Sequence, residues 1–142
     1  MRFMIIVKSC PAFEADTVPP SAPDEALFAA MAAYHEELAR AGVLLEGAGL
    51  HPSRTGWRIH YGPKGRQVVD GPFTEAKELI AGYTLIQVRN REEALEWSRR
   101  FPNPAGEGRE AVIELRQLIE LDEFPPGESL EAFKRIDETL KP

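Results

Sequence analysis

An acid, two histidines and two arginines are the residues of this chain whose types and placing could do chemistry. Asp70 stands in Asp70-Gly71-Pro72-Phe73, directly after the strand-like Gln67-Val68-Val69. A strand that stops at Asp-Gly and restarts at Pro72 as a short polar helix would leave the Asp70 carboxylate beside unpaired helix N–H groups. His51 precedes Pro52, which biases it to an extended conformation at a strand exit. His35 falls at the edge of an amphipathic helix, on the side of Phe28. An imidazole that meets a carboxylate can exchange protons with a bound molecule, and Arg58 or Arg116 can hold that molecule's anionic group. Such proton abstraction needs no cofactor, and His35, His51, His60 and Cys10 lack the paired spacing of a metal site. A second reading stands beside the first: Asp-Gly-Pro also builds plain turns, and Asp70 is then a cap in a non-catalytic ligand-binding or regulatory module.

The elements that must position these groups follow from periodicity. Phe3, Ile5 and Val7 alternate with Arg2, Met4, Ile6 and Lys8, a half-buried strand. Residues 9–23 carry Pro11, Pro19, Pro20 and Pro23 and are expected as a loop without helix or ladder. Ser21 and Asp24 make a capping-box-like start, with Pro23 in the first turn, for a helix to about Ala41. Its apolar stripe is Leu27, Met31, Tyr34 and Leu38, and Gly42 stops it. Residues 43–50 read as a strand whose Gly47-Ala48-Gly49 lacks the third glycine and the following helix of a phosphate loop. Trp57, Ile59 and Tyr61 alternate with Arg58 and His60, and Gly62-Pro63-Lys64-Gly65 turns this strand into a hairpin with 66–69. A strand over 79–88 precedes a helix capped by Asn90 and Glu93, with Ala94, Trp97 and Phe101 on its apolar side and Glu96 paired to Arg100. A mixed-polarity strand spans 111–119, and after Pro125-Pro126 a last helix presents Leu130, Phe133, Ile136 and Leu140. A helix this short must dock on something.

That order is two βαβ-like halves with an inserted hairpin: an α+β, ferredoxin-like unit with helices on one sheet face. No helix is left for the second face, so two sheets are expected to meet in a homodimer. The division expected is an α+β domain over 1–124 and a helical extension over 125–142.

A length of 142 residues suits a single core. The net charge of −6 argues against broad nucleic-acid binding. Within it, residues 51–69 hold Arg54, Arg58, Lys64 and Arg66 and no acid, whereas residues 120–142 hold seven acids against Lys134, Arg135 and Lys141. The basic hairpin either faces the acidic tail, within the chain or across a dimer, or steers an anionic small molecule. No apolar run approaches the roughly 18 residues of a membrane helix. A single cysteine and a start without a secretory pattern point to the cytoplasm.

Beyond these readings, Tyr34-His35-Glu36-Glu37-Leu38, Gly49-Leu50-His51-Pro52-Ser53, Asp70-Gly71-Pro72-Phe73-Thr74-Glu75-Ala76-Lys77-Glu78 and Ile113-Glu114-Leu115-Arg116-Gln117 resemble the YCII-related proteins that carry the DGPF motif. The resemblance reaches Phe124 and implies a dimeric α+β barrel with a cleft in each subunit. It implies an Asp/His pair in that cleft, with Asp70 as the acid. Many relatives carry Asn where His35 stands, which favours His51 over His35. Tyr34 and Phe73, within the matching stretches, join Arg58 and Arg116 as expected ligand contacts. Members of the DGPF type are associated with extracytoplasmic-function sigma factors, the partner that the regulatory reading implies.

Overall fold

The computed structural model describes residues 1–21 and 24–142. Four strands, β1 (Arg2–Lys8), β2 (Leu44–Gly49), β5 (Ile80–Gln87) and β6 (Ile113–Gln117), form an antiparallel sheet in the order β2-β5-β1-β6. Between β2 and β5 the chain makes a separate two-stranded sheet, β3 (Trp57–Gly62) with β4 (Gly65–Asp70). The helices are α1 (Pro11–Glu14), α2 (Glu25–Arg40), α3 (Arg91–Arg99) and α4 (Glu128–Leu140). Among the described residues no helix is long and apolar enough to cross a membrane.

Strand register places the core. Phe3 lies opposite Ile86, and Ile5 opposite Thr84 and Leu115. Because side chains alternate between faces, this set points one way, and Tyr34, Leu38 and Ala94 from α2 and α3 pack into the same buried cluster. The opposite face carries Met4, Ile6, Tyr83 and Leu85, half-buried, beside Glu114 and Arg116. Arg116 Nη1 donates there to Glu114 Oε2 at 3.2 Å.

Several local expectations are corrected. The proline-rich segment after β1 contains a helical turn, with Pro11 at its first position where the missing N–H costs nothing. The cap of α2 is Asp24, whose Oδ1 accepts from Leu27 N–H at 3.1 Å. Ser21 instead donates its hydroxyl to Asp16 Oδ1 at 2.6 Å, and Pro23 lies outside the described residues. Arg100 reaches Glu37 at 3.9 Å and stacks on Trp97, 4.0 Å from the ring centre, because an arginine over an aromatic face gains dispersion as well as charge contact.

The largest correction falls on the stretch after Asp70. No helix starts at Pro72; only a single 3₁₀ turn, Ala76–Glu78, follows. Its donors are used elsewhere. Gly71 N–H donates to Gly56 O at 3.0 Å, and Phe73 N–H to Ser53 Oγ at 3.0 Å. The segment is thus tied across to the turn Ser53–Thr55 rather than wound on itself. Phe73 lies outside the buried cluster, half-buried beneath the Arg58 guanidinium, 3.9 Å from its ring centre.

Candidate functional site

A cleft of about 630 Å³ opens between α2, β2, β5 and the loops after β1 and β2. Small residues clear its floor: Gly47, Ala48 and Gly49 on β2 pair with Thr84, Tyr83 and Gly82 on β5. Gly82 is required by close strand approach, since a Cβ there would stand 2.9 Å from Ala48 O. Phe28, Met31 and Leu44 supply apolar wall, and Phe101 closes one end.

His35 and Thr84 are the polar features of the inner wall. Thr84 is 2% exposed, and its Oγ1 lies 2.9 Å from His35 Nε2. His35 Nδ1 lies 2.7 Å from Met31 O, one turn back on α2. A carbonyl only accepts, so Nδ1 carries a proton and donates. In the neutral ring Nε2 is then the lone-pair nitrogen, and it accepts from the Thr84 hydroxyl. The edges of Tyr34 and Phe101 hold the ring, with centroids 5.5 and 6.2 Å away. A buried hydroxyl and an oriented imidazole in mostly apolar surroundings are a pair that a ligand's own hydroxyl can enter.

The rim is built by contacts between distant segments. The Glu14 carboxylate accepts from Ser53 N–H at 3.0 Å and from the Ser53 hydroxyl, which in turn accepts from Phe73 N–H. Arg54 donates to the backbone oxygens of Glu14, at 2.8 Å, and of Asp16. Asp16, on the cleft wall, has its carboxyl held below the usual range by hydrogen bonds from the Ser21 hydroxyl and the Thr17 and Ser21 N–H groups.

Of the residues singled out in the sequence, the cleft brings together His35 and His51. His51 is exposed at the rim. Asp70 is exposed at the end of β4 opposite Trp57, is not on the cleft wall, and its carboxylate has no hydrogen bond or ion pair among the described residues. Arg58 lies over Phe73, and Arg116 is engaged with Glu114 on β6, so neither arginine lines the cleft. Tyr34 is a core residue: its hydroxyl donates to Trp97 O at 2.7 Å, and burial pushes its phenol up to about 12. No group of three or more His, Cys, Asp or Glu among the described residues is arranged to hold a metal ion. Thr84, Glu14 and Ser53 were not singled out from the sequence. Only Thr84 had a signal, a lone hydroxyl among the inward residues of an apolar strand.

A family model described as the YCII-related domain matches residues 1–121. An uncharacterized protein of Rhizobium meliloti (strain 1021) is 31% identical over 80 residues, 56% of this chain, and the match spans 64% of that relative's length.

Proposed function

The chain belongs to the YCII-related family, and from that premise and the cleft geometry we propose that it binds a small, mostly apolar molecule through one hydroxyl group docked at His35 and Thr84. The observation that carries this reading is the 2.9 Å contact between His35 Nε2 and Thr84 Oγ1 in the wall of a mostly apolar cleft. A ligand hydroxyl can donate to Nε2 and accept from Thr84, inserting itself into the existing hydrogen bond without leaving either group unpaired. His35 Nε2 is the atom that would take a proton from the ligand in an enzymatic version of this site, with His51 at the entrance.

The working unit proposed is a homodimer of ferredoxin-like domains, each spanning residues 1–124, with residues 125–142 as an arm that docks on the second copy. The strand order β2-β5-β1-β6, read without the inserted hairpin, supports that topology. Support for the dimer comes from apolar surfaces left open on one chain. Trp57 and Tyr61 on the hairpin are 64% and 71% exposed, and Phe133 and Leu140 on α4 are 59% and 77% exposed. The hairpin is basic and the tail acidic, which favours their meeting across copies.

Naphthol, an apolar body with one hydroxyl, tests the cleft when titrated while the His35 ring signals are followed by NMR. A Cβ at Gly47 would lie 3.7 Å from both His35 Nε2 and Thr84 Oγ1, so Gly47→Leu places a side chain on the cleft floor without a backbone clash. Saturable shifts of the His35 ring in the natural protein and their loss in Gly47→Leu are expected. Equal responses from both proteins would refute the assignment.

A further inference from the structure

A second cavity, about 650 Å³, lies where β1 runs out, and its walls include Lys8, Ser9, Cys10, Lys77 and Arg109. Backbone pairing forms it: Lys8 N–H donates to Val112 O at 3.1 Å and Ser9 N–H to Leu79 O at 2.8 Å. The chain at 8–10 therefore runs between the approach to β5, which carries Lys77, and the approach to β6, which carries Arg109. Three cations line this space against one acid, Glu110, in a protein whose net charge is −6. None of the three has a carboxylate within ion-pair distance among the described residues, whereas Arg2, Arg89 and Arg116 elsewhere each do. Lys8 is half-buried, so part of its side chain is covered by the cavity wall. Ser9 is 7% exposed and its hydroxyl has no partner among the described residues. Among the described residues every side-chain oxygen fully shut off from solvent is hydrogen-bonded, so the Ser9 hydroxyl keeps some open surface, and Ser9 lines this cavity. Phe13 and Val112 make the rest of the lining apolar.

We propose that this cavity binds a small organic carboxylate, its head held by Lys8, Arg109 and the Ser9 hydroxyl and its apolar body lying against Phe13 and Val112. This cavity shares only Phe13 with the wall of the His35 cleft, and its test does not depend on that reading. A carboxylate supplies the missing counter-charge and an acceptor for the serine, and the apolar lining selects against a fully hydrated inorganic anion.

Cys10 is the single cysteine of the chain and sits in this wall, so thiol reagents report on this place alone. The Cys10 thiolate attacks the disulfide of either reagent, forms a mixed disulfide and releases one aromatic thiolate, which is read by absorbance. Dithiobis(nitrobenzoate) carries an aryl carboxylate on each half; dithiodipyridine has the same reactive bond and no negative charge. The ratio of the two rates cancels differences in thiol ionisation and general access. That ratio is expected to fall about tenfold in the Lys8→Gln/Arg109→Gln double variant, as for removal of electrostatic steering. Benzoate is expected to protect Cys10 from both reagents in the natural protein, a measurement that requires no variant to fold. An unchanged ratio, an absence of protection by benzoate, or a Cys10 that neither reagent reaches would overturn the proposal.

Discussion

Replacing Gly71 with alanine tests the account of the Asp70–Phe73 stretch directly. A Cβ built at Gly71 would stand 1.9 Å from Ser53 O, 2.7 Å from Ser53 C and 3.2 Å from Arg54 Cα. All three are backbone atoms, so no side-chain rotation relieves the overlap; residues 53–54 or residue 71 must move. Overpacking of this kind costs about 1–3 kcal/mol. The same displacement pulls apart the Gly71 N–H bond to Gly56 O and the Phe73 N–H bond to Ser53 Oγ, each 3.0 Å long. Those two bonds add about 1 kcal/mol each. The sum is roughly 3–5 kcal/mol, a large part of the roughly 5–15 kcal/mol that holds a domain folded. For 142 residues the unfolding entropy is about 0.3 kcal/mol/K, so the melting temperature should fall by roughly 10 °C or more. Calorimetry should be run beside Gly62→Ala, where a Cβ meets nothing within 4 Å and little change is expected. A Gly71→Ala protein that melts within about 2 °C of the natural one would refute the claim that this segment is clamped to the Ser53 turn.

Three further outcomes are expected. Tyr34→Phe should lose about 1 kcal/mol with the hydrogen bond to Trp97 O. It should also abolish the highest-titrating phenol in an ultraviolet pH titration, the one that burial pushes up to about 12. Because that group stays protonated in the folded chain where an unfolded tyrosine ionises, stability should fall as pH rises from about 10 to about 12, and less so in the variant. Glu120→Gln removes the negative charge and one of the two acceptor oxygens that Arg2 uses; its Nε and Nη2 lie 3.0 and 2.9 Å from the Glu120 carboxylate. The Arg2 hydrogen bond holds that carboxyl below its ordinary value, so the pair stabilises above about pH 4.5 and the contribution is lost as pH falls below it. Melts across pH should show a deficit in the variant of under about 1 kcal/mol near neutrality, as befits a partly exposed pair, closing in acid. Truncation after Phe124 removes the exposed stripe of α4, and sedimentation velocity should then show a weaker self-association than that of the full chain. Identical association of the two would remove the arm from the proposed dimer.

Local pattern alone determined the β5 face of Gly82, Thr84, Ile86 and Val88, the buried Tyr34 and Leu38 of α2, the hairpin, and the Asn90 cap, which accepts from Glu93 N–H at 2.8 Å. These features depend on a strand's period of two, a helix's period of 3.6 and a cap three residues long, all written in contiguous residues. The candidate site was legible only as residue types: the two histidines that line one cleft were named, but their setting was not. Tertiary structure decided that Thr84, 49 residues away, faces His35 and that Glu14 reaches Ser53 across 39. It also decided that the DGPF stretch is bound to a turn and starts no helix, and that Asp70 ends on the exposed hairpin away from the cleft. Those pairings arise when strand register and loop docking bring distant segments together, and a polar side chain then takes whichever partner the packed chain places within about 3 Å.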